Sequence, residues 1–328
     1  MIGRRGGRRS DGAATSRRTG ASDVDTRVTV GSIDLPHPVM LASGTAGYGA
    51  ELARYLDLAS LGAVVTKSLA AYPWEGNPAP RVAPAGVGMI NAVGLQGPGV
   101  ERWLAHELPE LLATGARVVA SIWGRSLDDY RHAAELMAAA PPGVVAVEVN
   151  LSCPNLEGRR GIFAHDPDLS GEVVRVTAAV GRPRWAKLSA NTDRVVEVAA
   201  AVVEAGAEAV TLVNTLLGMV LDPATHRPVL GAGGGGLSGR GIHPVAVRTV
   251  HDVRRALPSV PIVGVGGVSS GWDAAELMLV GAHAVQVGTA SFADPRAAGR
   301  IAAELVSWAA AEGFSELRTV SGACHLDG

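Results

Sequence analysis

The chain has 328 residues, 47% of them apolar, and a formal net charge of −2. That length allows one large α/β barrel or two ordinary domains, and the balanced charge gives no reason to expect nucleic acid or an acidic membrane as partner. Cys153 and Cys324 are the only cysteines and no CxxC pair occurs, which argues against a disulfide scaffold and against a zinc or iron–sulfur site in this chain and fits a reducing cytoplasm.

Residues 1–22 carry Arg4, Arg5, Arg8, Arg9, Arg17 and Arg18 among Gly, Ser, Ala and Thr. They have almost nothing to bury and read as a disordered tail. No apolar region follows the Arg-Arg pairs, so an export signal is not expected. No stretch approaches the length of a transmembrane helix. Residues 23–328 are expected to form a single domain.

From Val28 the chain alternates strand and helix signals. Strands are predicted at Val39–Ser43, Ala63–Lys67, Arg117–Ile122, Val144–Val149, Arg184–Leu188, Ala209–Val213, Pro261–Val265 and Ala284–Val287. Helices are predicted over Glu51–Leu58, Val100–Ala113, Asp128–Ala139, Val195–Glu204, Pro244–Ala256, from Asp273, and over Pro295–Ala310. Two Gly- and Pro-rich excursions, residues 70–99 and 214–241, are too long for ordinary connections and point to function. Short strands that are apolar on both faces indicate a parallel sheet covered by helices. Eight of them close a (β/α)8 TIM barrel. The rival, an open doubly wound sheet, normally has a G-x-G-x-x-G turn after its first strand, and Gly44-Thr45-Ala46-Gly47 lacks that spacing.

The distinctive polar residues fall just after predicted strands: Ser43, Lys67, Ser121, Asn150, Lys187, Asn214, Gly266-Gly267 and Gly288-Thr289. In such a barrel this is the rim that carries active sites. Core packing explains eight such positions in phase poorly, because a strand-end lysine or asparagine costs desolvation unless it is satisfied or used. Gly266-Gly267 and Gly288-Thr289, after strands seven and eight, suit a phosphate. Lys187 at the end of strand five needs a negative partner. A reduced flavin would supply one, and so would a neighbouring carboxylate. Cys153 follows strand four in a loop closed by Pro154, which suits proton transfer, although a buried cysteine is often only a small hydrophobe.

Asn150-Leu151-Ser152-Cys153-Pro154-Asn155 resembles the catalytic loop of the class 1 dihydroorotate dehydrogenases, which are FMN-binding barrels. Residues 42–49, Ala-Ser-Gly-Thr-Ala-Gly-Tyr-Gly, resemble the first-strand motif of class 1B, the NAD-linked branch. Residues 75–82 and 91–96 resemble its substrate-covering excursion. Val213-Asn214-Thr215, residues 235–239 and residues 285–290 complete the set, so that the resemblance spans roughly Val28 to Pro295. The implied reaction is oxidation of (S)-dihydroorotate to orotate in pyrimidine (UMP) biosynthesis.

The resemblance implies roles at matched positions. Cys153 is the base that removes a proton from C5 of dihydroorotate, and a hydride leaves C6 for flavin N5. Lys67, Asn91, Ala92, Val93, Gly94, Leu95, Asn150, Asn155, Asn214 and Thr215 surround the substrate. Amides both donate and accept, which suits a ring of alternating C=O and N–H. Ser43, Lys67, Ser68, Asn150, Lys187, Val213, Gly239, Gly266, Gly267, Gly288 and Thr289 hold FMN. No metal is implied. The expected assembly is two catalytic chains with two subunits carrying FAD and a [2Fe–2S] cluster.

Two departures stand out. Ser121 replaces an asparagine common near the flavin, and Arg159-Arg160 alter the segment after Cys153. The rival readings are a dihydropyrimidine dehydrogenase-like flavoprotein, a fumarate-linked class 1A enzyme and a non-enzymatic phosphate-binding barrel. The first commonly has histidine where this chain has Asn155, and the second lacks the 44–49 motif.

Overall fold

A computed structural model describes residues 21–86, 88–152 and 162–325. The expected tail, apart from its last two residues, and Cys153, Asn155 and Arg159-Arg160 all lie outside the described residues. The eight barrel strands are β1 (Val39–Leu41), β2 (Val64–Val65), β3 (Val118–Ile122), β4 (Val144–Asn150), β5 (Arg184–Lys187), β6 (Ala209–Leu212), β7 (Ile262–Val265) and β8 (Ala284–Val287). They run parallel in sequence order and close, β5 pairing with β6 and β8 with β1. This is the predicted (β/α)8 barrel. Its strands are buried almost throughout, as two-sided coverage requires.

The helices start where the sequence offers caps. Ser126 accepts the Asp129 amide ahead of Leu127–Met137, and Ser270 accepts the Asp273 amide ahead of Gly271–Leu279. Asp166 caps Pro167–Val176, a helix that the sequence reading missed although Asp166-Pro167 is a start signal. The predicted helix Val100–Ala113 is two helices, Val100–Ala105 and Glu107–Ala113. Pro109 explains the break, because its ring would collide with the Ala105 carbonyl four residues back. The predicted helix Glu51–Leu58 does not form. Glu51 instead accepts the Tyr48 and Gly49 amides, which fixes turns, and only the short 3-10 helix Leu58–Ser60 follows.

Both ends of the barrel are covered. Beneath it, Val28–Val30 and Ile33–Leu35 form a hairpin, and Ser32 donates to Glu208, just before β6. Above it, the two long excursions meet. Leu216–Gly218, Gly235–Gly239, Gly88–Asn91 and Val82–Ala85 form one antiparallel sheet. The chain end packs against the barrel's helices as far as His325, whose ring stacks on His251 at 4.8 Å. Its Nε2 lies 3.1 Å from the Val280 carbonyl.

Two histidines tie stability to pH. His37 Nδ1 accepts the Val39 amide and His283 Nδ1 accepts the Ile262 amide, so both need that nitrogen unprotonated. Burial lowers each from 6.5 to about 4, helped at His283 by the nearby Arg254 charge. Between those values the unfolded chain takes up protons that the folded chain refuses. The stabilisation is therefore complete above pH 6.5 and is lost as pH falls toward 4, by about 3 kcal/mol per histidine at the limit. Urea midpoints should fall across that window in the native chain and flatten in a His37→Asn/His283→Asn variant. An equally steep fall in the variant would contradict this origin.

Candidate active site

The C-terminal ends of the strands open into a cavity of about 620 Å³, roofed by the sheet of the two excursions. Its lining includes Ser43 after β1, Lys67 and Ser68 after β2, and Asn150 and Lys187 at the last positions of β4 and β5. Val213, Asn214 and Thr215 follow β6, Gly266 and Gly267 follow β7, and Gly288 and Thr289 follow β8. Asn91, Ala92, Val93, Gly94, Leu95 and Gly239 come from the roof. Every described residue expected to hold substrate or FMN therefore lines one cavity, and of the strand-end residues only Ser121 does not. Ser152 and Ile162, which flank the segment that holds Cys153, line it too.

A chain of polar contacts crosses the floor. Asn214 Nδ2 donates to Asn150 Oδ1 at 3.2 Å, and Asn150 Nδ2 donates to Ser68 Oγ at 3.2 Å. Ser68 Oγ lies 2.9 Å from Ser121 Oγ and 3.5 Å from Ser43 Oγ. Tyr130 fixes the Asn150 backbone by donating to its carbonyl at 2.6 Å. Amides held at both ends keep one orientation and present their remaining donors and acceptors to a ligand. Ser121 is fully buried and outside the lining; it supports Ser68 from behind.

The roof is tied down at several points. Gly94 and Leu95 take positive φ, 72° and 61°, which turns the backbone sharply at the cavity wall. Trp74 Nε1 donates to the Gly94 carbonyl at 2.9 Å, and Asn91 Nδ2 donates to Gly236 O at 3.2 Å. Tyr48, in the 42–49 motif, donates its hydroxyl to Gln96 O and so links that motif to the roof. Burial first, and the Glu107 charge second, push the Tyr48 phenol up, so it stays protonated as a donor.

Beyond β7 the backbone is pressed close to the helix His243–Ala256. A side chain at Gly267, whose φ is 71°, would put its Cβ 2.7 Å from His243 Cβ. One at Gly266 would meet Ala246 Cβ at 2.7 Å. His243 Nδ1 contacts Gly266 O at 2.8 Å and Nε2 contacts Glu276 at 3.1 Å, so the turn is held from behind. Such a bare backbone turn beside Gly288-Thr289 suits a phosphate. Thr289 Oγ1 donates to Ser238 Oγ at 2.8 Å, joining this end to the roof.

The Lys187 ammonium has a carboxylate partner, Glu148 Oε1 at 3.5 Å, and Lys187 also lines the cavity. Both alternatives left open by the sequence are thus compatible with its place. The sequence reading overlooked Glu148, hidden inside an apolar strand. It also overlooked Trp74, Trp123, Arg125, Ser189 and Asn191, which line the cavity. Arg125 stacks over Trp74 at 4.8 Å, and Trp74 meets Trp123 edge to face. Arg125 and Asn191 follow β3 and β5 by three and four residues, so the strand-end rule could have found them.

The dihydroorotate dehydrogenase family model matches residues 26–308. The chain is 45% identical over 303 residues to a protein of Geotalea daltonii, covering 92% of this chain and 99% of that one. It is 43% identical over 306 residues to a protein of Desulforudis audaxviator, covering 93% and 99%. Both are named dihydroorotate dehydrogenase B (NAD(+)), catalytic subunit. The match of fold, strand-end residues and nearly the whole sequence leads to one conclusion: the chain belongs to the dihydroorotate dehydrogenase family, oxidoreductases that act on CH–CH bonds.

Proposed function

We propose that this chain oxidises (S)-dihydroorotate to orotate with FMN, as the catalytic subunit of an NAD-linked assembly. The observation that carries this reading is one cavity lined by every described residue to which the resemblance assigns a role in holding substrate or FMN. Its volume falls within the roughly 300–1,000 Å³ usual for ligand sites. The residues present fit FMN: a bare turn at Gly266-Gly267 for the phosphate, and the Lys187 cation at the floor.

When bound, FMN supplies the acceptor for the hydride that leaves C6 of the substrate. The residues of the chain do the rest. Asn91, Asn150, Asn155 and Asn214 orient the pyrimidine ring and its carboxylate. Gly94 and Leu95, on the roof, exclude water. Cys153 takes the C5 proton, and Lys67 provides positive charge between substrate and cofactor. Lys187 offsets negative charge that arises on reduction.

A separate subunit carrying FAD and [2Fe–2S], in an assembly of two catalytic chains and two such subunits, would supply the path for electrons to NAD. The names of the similar proteins, as NAD-linked catalytic subunits, support this. Among the described residues no helix is long and apolar enough to cross a membrane. With the sparse cysteine use, we place the chain in the cytoplasm.

The purified chain should be yellow and release about one FMN per chain, the occupancy expected of one site. A Gly267→Ala variant should lose most of it, because its Cβ would collide with His243. A colourless native chain that takes up no added FMN would contradict the reading.

A further inference from the structure

The barrel interior holds a carboxylate that the proposed chemistry does not use. Glu148 is fully buried on β4 and does not line the cavity. Thr211 Oγ1 on β6 and Gln286 Nε2 on β8 both donate to its Oε2, at 3.1 and 2.9 Å. Its Oε1 receives no hydrogen bond and lies 3.5 Å from Lys187 Nζ. Two neutral donors thus hold one oxygen while the other meets the ammonium.

Stability alone accounts poorly for such a pair. Well-packed apolar residues in place of a buried ion pair are often neutral or stabilising. A need for a cation at this point of the wall accounts for it better. Without a negative partner, a lysine this buried tends to shed its proton.

We propose that Glu148 is a positioning residue: anchored by Thr211 and Gln286, it keeps the Lys187 ammonium charged and fixed at the cavity wall. The use of that charge rests on the flavin reading above; the pairing itself does not.

Infrared spectroscopy of the protein as purified tests the pairing. Lys187→Met leaves Glu148 with neutral partners only, so a protonated carboxylic acid band should appear at neutral pH. The native chain and a Lys187→Met/Glu148→Gln variant should lack it. Absence of the band from Lys187→Met would overturn the proposal, and Lys187→Gln gives the same readout if the methionine variant does not fold. In the flavin-loaded protein, Glu148→Gln leaves Lys187 uncharged before reduction. Reductive titrations across pH should then show one extra proton taken up per two electrons, lost again when Lys187→Met is added. Unchanged proton uptake in Glu148→Gln would also overturn it, because a purely structural glutamate would not alter that number. A chain that binds no flavin would fail the functional reading, while the infrared result would still decide the pairing.

Discussion

Cys153→Ala should bind FMN as the native chain does, yet its flavin should be reduced by dihydroorotate on the order of a hundredfold more slowly or worse, the usual scale for losing a general base. A thiol loses its proton more readily than a hydroxyl, so a cysteine serves as base near neutral pH without help from a carboxylate. FMN binding is assigned to other residues, on the rim after β7 and β8 and on the floor, so its occupancy should hold. The measurement is a single-turnover reduction under anaerobic conditions, comparing native and variant chains at equal flavin content. An unchanged rate would remove Cys153 from the role.

The isolated chain should reduce an artificial dye with dihydroorotate but form little NADH until the partner subunit is added. The barrel rim offers one cavity for one flavin, and the chain's two cysteines fall short of the four thiolates that usually ligate an iron–sulfur cluster. On the proposed reading, electrons reach NAD through groups that the partner subunit carries. An assay of the chain alone against NAD, fumarate, a quinone and a dye separates the possibilities. Rapid NADH formation by the chain alone would contradict the need for a partner, and strong fumarate reduction would indicate the class 1A chemistry instead.

The barrel was legible because its signal is periodic and repeated. Val118–Ile122 and Val144–Asn150 are mostly apolar, rich in branched residues and bounded by turn residues, and the second ends on Asn150 at the cavity. The rim residues were legible for the same reason, since Lys67, Asn150 and Lys187 sit in phase at strand ends. What the sequence hid depends on contacts between distant segments. Glu148 looks like one polar residue in a buried strand until Lys187, Thr211 and Gln286 are brought to it from three other strands. The pairing of the two excursions into one roof, with Gly236 opposite Asn91, joins positions 145 residues apart and has no local signature. The break at His106 and the helix Pro167–Val176 were different: Pro109 and Asp166-Pro167 were readable signals left unused.

The central claim is that this chain itself takes a hydride from dihydroorotate onto a flavin that it holds. Anaerobic titration of the purified, flavin-loaded chain with (S)-dihydroorotate tests it directly. The visible flavin absorption should bleach and one orotate should form for each flavin reduced. Flavin that dithionite reduces but dihydroorotate leaves oxidised would contradict the account.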